Sequence, residues 1–386
     1  MTSRSIAYAT SPRTAPGINA AVTPPTASPA DSPAPAAKAP TGTRQLTWRF
    51  RGHRGAVLFD RRGVVTNLGL ALALALVAIA SLCLGSLAIS PLAALQGLAG
   101  FGDPMNVFVV RELRLSRLMA GLATGAAFAL SGCLMQTLAR NRLATPGIIG
   151  IDNGATAFAV ASVLGVGVGL APPPMALAGA VTATVITFAL ASDIGTRGYR
   201  FLVAGIGVGA IFGALTQLLL AQVAIDAANA AYPWTVGSLN ARDAASLTWL
   251  EIGLGLGLIA ALWFKRDLAC LRFADSVATG LGVRVKRSRF AALAVSIALT
   301  GLAVAVAGPV GMVSLMGPEI ARQLSSPRGV PLFGAALSGA LVMVSADLVG
   351  RLLVAPIEIP VGIVTAIVGA PFLLWILLRP AARFRR

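Results

Sequence analysis

The residues of this chain that could do chemistry are a few charged positions set in very apolar sequence. "RELRLSRL", residues 111–118, places Arg111, Arg114 and Arg117 three apart, which lines them along one side of a helix. Guanidinium groups displayed in that way suit the capture of carboxylates. Asp347 and Arg351 are four apart and Glu319 and Arg322 three apart, spacings that form ion pairs on one helix. Asp152, Glu319 and Asp347 also lie in or near apolar runs, where an ionisable group is a candidate for ion or proton coupling. No nucleophile–base arrangement occurs. There is no G-x-x-x-x-G-K-[ST], and the only lysines are Lys38, Lys265 and Lys286, so ATP phosphates are not cradled by that route. Cys83, Cys133 and Cys270 have no paired spacing and His53 is the single histidine, so neither a metal site, a disulfide nor His-based catalysis is expected.

The elements that carry these residues are apolar spans. The 386 residues are 56% apolar and 12% charged, with a mean hydropathy of +0.81. Runs of about 18 or more apolar residues recur, which predicts an all-α polytopic membrane protein rather than a barrel of short alternating strands. The net charge of +17 raises nucleic acid as a partner. Nucleic-acid binders concentrate charge on a soluble face with aromatic residues interleaved, whereas here the arginines sit between spans and only 6% of residues are aromatic. The expected surroundings are a lipid bilayer, with no nucleic acid.

Residues 1–45 hold eight of the 23 prolines and read as a disordered tail, in preference to a signal or transit peptide. A basic segment, 46–64, leads into a transmembrane domain at 65–380. Apolar runs give about ten spans: 65–90, 106–138, 147–169, 174–192, 199–223, 246–264, 288–307, 309–324, 331–354 and 361–379. The third and eighth are interrupted by Gly, Pro and polar residues and read as short or re-entrant. If both termini are cytoplasmic, 22 Lys and Arg fall inside and five outside: Arg111, Arg114, Arg117, Arg242 and Arg351. The reverse orientation inverts that ratio, so cytoplasmic termini are expected. Three of the five outward arginines therefore cluster against the charge rule. Asp103 and Pro104 would start a helix of about 50 Å, too long for a ~30 Å hydrocarbon core, leaving those arginines beyond the membrane surface. Snorkelling at the interface is the plainer account of them.

The longest inward connection, 267–286, has apolar positions 268, 271, 273, 277, 281 and 283, which fit one or two short helices broken near Gly280–Gly282. These would lie on lipid or dock into a protein groove. "GLATGAAFALSG" and "AGIGVGAIFGALTQ" carry small residues at spacings for close helix packing or for lining a path.

Four blocks in order resemble the FecCD-type permeases, the membrane subunits of ABC importers for iron-siderophores, haem and cobalamin. They are "RELRLSRLMAGLATGAAFALSGCLMQTLARNRLATPGIIGIDNGA", "WTVGSL" at 234–239, "GPVGMVSLMGPEIARQL" at 308–324 and "ADLVGRLLVAPIEIPVGIVTAIVGAPFLLWIL" at 346–377. The resemblance implies ten transmembrane helices in the bacterial cytoplasmic membrane. It also implies a second permease subunit, identical or homologous, two cytoplasmic ATPases, and a soluble substrate-binding protein outside. Arg114, Arg117 and Arg351 would then receive acidic residues of that binding protein. Asp275, Ala278, Gly280, Leu281 and Gly282 would form the coupling segment seated in an ATPase cleft. Gly205, Gly207, Gly209 and Gly213, in the fifth span, would line the path. The chain itself would be a transport subunit without an ATPase site or a cofactor of its own, ATP and Mg being bound by the partner. Three positions depart from the family pattern: Ser116 and Arg142 replace usual prolines, and Glu319 stands where His usually follows Pro. A ferric siderophore is the expected cargo, with haem or cobalamin and a proton-coupled secondary transporter as the alternatives.

Overall fold

The computed structural model describes residues 45–49, 56–85, 87–167, 169–191, 199–240, 243–325 and 329–378. The proline-rich tail, except residue 45, lies outside them. A short antiparallel hairpin, β1 (Gln45–Arg49) and β2 (Ala56–Asp60), precedes the first helix, and the other regular elements among the described residues are helical. The helices begin with α1 (Arg61–Cys83) and α2 (Pro91–Ala99), the latter capped by Ser90 at its start and closed by Gly100 at φ +84°. Next, α3 (Pro104–Phe108), a π-helical stretch (Val109–Leu115) and α4 (Ser116–Ala139) run on as one rod. Asp103 and Pro104 do start this rod, although the Asp103 side chain makes no capping bond.

A 3₁₀ turn (Pro146–Ile149) leads into α5 (Ile151–Val163), followed by α6 (Pro172–Ala191), α7 (Tyr199–Ala221), α8 (Ile225–Ala231) and the single turn α9 (Pro233–Val236). Then come α10 (Ala244–Trp263), α11 (Lys265–Leu271), α12 (Asp275–Gly280) and α13 (Val285–Ala307). The last three are α14 (Gly311–Leu324), α15 (Leu332–Leu352) and α16 (Val361–Leu378). The cap of α10 is Asp243, which accepts from the Ser246 N–H at 3.0 Å; that bond holds its carboxyl below the ordinary value. Its contribution is therefore present above the unfolded pKa and fades as pH falls through the lower folded one.

Seven of these helices are long and apolar enough to cross a membrane. The interrupted third and eighth runs are short helices, α5 with 13 residues and α14 with 14. At about 1.5 Å per residue each spans only some 20 Å. Irregular backbone next to apolar helices needs partners, and it finds them: Ser238 N–H donates to Ala307 O at 2.7 Å and Gly362 N–H to Gly237 O at 3.2 Å. The second and fourth family blocks thus meet in space, and Gly237 of the second also lies against Pro309 O of the third.

At the centre stands α4, packed against α13, α14 and α15. Its small residues explain how. A Cβ on Gly125 would fall 2.6 Å from Gly339 O, and one on Gly132 would fall 2.9 Å from Ser314 Cα and overlap its carbonyl. Backbones therefore approach where a larger residue would hold them apart. Buried hydroxyls add interhelical bonds, Ser131 Oγ meeting Ser296 Oγ at 2.8 Å and Thr300 Oγ1 at 2.6 Å. By contrast α1 leaves Leu68, Leu72 and Leu76 exposed, as a lipid-facing helix would.

Candidate functional site

The rod of α3, the π-helical stretch and α4 is 36 residues long, roughly 54 Å at 1.5 Å per residue. It carries a cationic cluster at each end. At its start, Arg111, Arg114 and Arg117 do not share one side. The π-helical stretch, with its wider turn, interrupts the regular period between them: Arg111 turns to α2, whereas Arg114 and Arg117 line one cavity but bond different groups.

Arg111 is exposed and donates from Nε and Nη2 to Leu98 O at 3.1 and 3.0 Å, near the C-terminus of α2. Arg114 is 7% exposed; its Nη1 donates to Leu82 O at 2.6 Å, in the last turn of α1, and its Nη2 to Leu87 O in the connection that follows. Arg117 reaches across to α15. Its Nη2 lies 2.9 Å from Asp347 Oδ1, its Nε donates to both Asp347 oxygens, and its Nη1 lies 2.8 Å from Glu358 Oε2. The expected pair on α15 is present, Arg351 Nε lying 3.1 Å from Asp347 Oδ2, and Arg351 Nη2 also donates to Ser81 Oγ at 2.6 Å. A cavity of about 470 Å³ brings Arg114, Arg117 and Arg351 together with Glu112, Asn240 and Glu358. The three arginines are not bare: Asp347 and Glu358 neutralise much of their charge from within, and Arg114 is bonded to the carbonyls of Leu82 and Leu87.

At the other end, Arg140 closes α4 at φ +50°. Its Nε donates to Leu271 O at 2.8 Å and its Nη2 to Asp275 Oδ1 at 2.7 Å, while Arg289 Nη2 reaches the same oxygen at 2.6 Å. The loop 267–286 folds as the two short helices α11 and α12. Leu268, Leu271 and Ala278 face inward, whereas Phe273, Val277 and Leu281 are exposed. Gly280 and Gly282, the latter at φ +83°, have open space where a side chain would be. A second cavity, about 740 Å³, is lined here by Asp275, Thr279, Arg284, Lys286, Arg287 and Arg289.

Deeper in, Glu319 is 4% exposed and lies 3.0 Å from Arg322, as the spacing predicted. Arg322 also donates to Gln136 Oε1, whose Nε2 donates to Ser314 O at 3.3 Å. Arg142 approaches Glu319 at 3.5 Å, so two of the three departures from the family pattern face each other as opposite charges. Of the four path candidates, Gly205 and Gly209 are taken up by packing. A Cβ on Gly205 would press on Ile148 O, and Gly209 lies against Asn153, whose Nδ2 donates to Gly209 O at 2.9 Å. Gly213 approaches the same asparagine, and Gly207 faces open space. Asp152 stands apart from both ionic clusters, beside Gly147 and Gly311.

Sequence reasoning missed Glu358, Ser81 and the Arg140 clamp. Glu358 was inside the fourth block, and its nearness in sequence to Arg351 was the only cue.

Known proteins place this architecture. The model of the FecCD transport family matches residues 73–379. The chain belongs to the FecCD transport family. Among its FecCD relatives, the achromobactin transport system permease CbrC of Dickeya dadantii is 36% identical over 83% of this chain and 94% of its own length. The ferric enterobactin transport permease FepG of Escherichia coli is 32% identical over 85% and 99%. An inward-facing ABC transporter described as of metal-chelate type superposes with a TM-score of 0.70 at 25% identity, covering 82% of this chain and all of the other. This FecCD chain is a multi-pass membrane protein with the role of an ABC importer permease.

Proposed function

We propose that the chain moves a ferric siderophore across the bacterial cytoplasmic membrane, delivered by an external binding protein and driven by ATP hydrolysed in separate subunits. In this reading the chain has ten spans, both termini are cytoplasmic, and it pairs with a second permease subunit. The Arg117 cluster faces outward and the α11–α12 pair faces the ATPases. The observation that carries it is the placement of the two clusters at opposite ends of one buried rod, α4. Its start meets a 470 Å³ cavity rimmed by three arginines, and its end is clamped by Arg140 to the two short helices. The exposed Phe273, Val277 and Leu281 give those helices an apolar face for a groove. The ferric enterobactin relative supports iron chelates as cargo, and a relative named for vitamin B12 import supports cobalamin as the second reading.

Proton coupling through Asp347 or Glu319 is disfavoured by geometry. Asp347 is bracketed by Arg117 and Arg351, and Glu319 is paired with Arg322, so each carboxylate is taken up by a structural ion pair. The test is uptake into sealed proteoliposomes containing the permease, its ATPase and the binding protein. Ferric siderophore enters only with ATP and binding protein present. Uptake driven by a pH gradient with neither would overturn the proposal.

A further inference from the structure

The outer arginines have an unequal pair of internal partners. Asp347 is 5% exposed and is held by two arginines at once, so it cannot leave without stranding buried charge. Glu358 is 42% exposed, sits in the connection between α15 and α16, and among the described residues has one ion pair, to Arg117 Nη1 at 2.8 Å. It can release into water at little cost. Arg117 Nη1 is therefore the one guanidinium nitrogen of the cluster whose carboxylate is exchangeable; the other nitrogens of Arg117 are fixed on Asp347, and those of Arg114 on Leu82 O and Leu87 O.

We propose that Glu358 is a placeholder for the binding protein's carboxylate: it occupies Arg117 Nη1 in the resting permease and gives up that position when the binding protein docks. This rests on the reading that Arg117 receives an acidic partner. Glu358 then sets how tightly the binding protein is held. It keeps Arg117 extended toward the cavity, and its competition allows the courier to dissociate after delivery. A carboxylate of the incoming protein must offer more than Glu358 does, so weakly acidic surfaces are rejected.

The test measures docking of the soluble domain of the substrate-binding protein encoded with the permease, on the full chain in nanodiscs with its ATPase. Glu358→Gln keeps the shape and removes the competing charge. It tightens docking about threefold to fivefold at low ionic strength, mostly through faster association, and the gain shrinks in high salt. Glu358→Ser, which removes the contact altogether, shifts affinity in the same direction. Unchanged or weaker docking of both variants would overturn the placeholder role. Arg117→Glu separates the two levels. If it docks normally, the docking reading itself is wrong. If it fails to dock while both Glu358 variants bind no tighter than the unaltered chain, only the placeholder is wrong.

Discussion

Arg117→Glu lowers docking of the binding protein by about 100-fold or more and abolishes uptake, as expected when a paired charge is inverted in a desolvated cluster. The native guanidinium holds Asp347 through two nitrogens and Glu358 through a third. The substitution leaves three carboxylates side by side, with only Arg351 to offset Asp347. Breaking such a buried pair also costs about 3–5 kcal/mol of stability, so folding has to be followed separately by size-exclusion profile and thermal inactivation. Arg117→Lys serves as the companion variant. It retains charge but loses the fork, and it should fold with docking reduced to an intermediate level. Uptake by Arg117→Glu at the level of the unaltered chain would remove the cluster from the transport cycle.

The second large effect is structural. Gly132→Leu should leave almost no folded protein in the membrane, and Gly132→Ala should destabilise by about 2–3 kcal/mol, the cost of overpacking against atoms that cannot move. A Cβ at 132 overlaps the Ser314 carbonyl, which belongs to the backbone of α14 and has no rotamer to change. Gln136, one turn further along α4, donates to that same carbonyl, so the displacement also disturbs the Gln136–Arg322–Glu319 bonds. Gly207→Ala is the contrast, since open space surrounds it. Fluorescence-detected size exclusion of heated detergent extracts distinguishes the two. Equal melting of the Gly132→Ala and Gly207→Ala variants would contradict the close approach of α4 and α14.

Much of this arrangement is legible in the sequence. Apolar runs located the helices because lipid demands internally satisfied backbone over a fixed length, and Gly and Pro marked the two short ones. The pairs Asp347–Arg351 and Glu319–Arg322 followed from helical spacing alone. The arginine triplet was legible only in part, because spacing of three implies a shared side only while the helix stays regular: Arg114 and Arg117 line one cavity and Arg111 does not. The π-helical stretch Val109–Leu115 sends Arg111, Arg114 and Arg117 to different partners. The path glycines were ambiguous for a related reason. Small residues serve a pore or a close contact equally well, and Gly205 and Gly209 serve contact with the 148–153 segment. Glu358 and Arg140 were illegible because their partners lie 241 and 135 residues away in sequence. No local pattern encodes a pairing of that kind.

The account stands on the two ends of α4 facing opposite sides of the membrane. Single cysteines at Glu112 and Ser276, both exposed, in a chain whose Cys83, Cys133 and Cys270 have been replaced, would be challenged with a membrane-impermeant maleimide on intact cells. The expected result is labelling at 112 from outside and at 276 only after the membrane is opened. Labelling of 276 from outside, with 112 protected until the cells are broken, would contradict it.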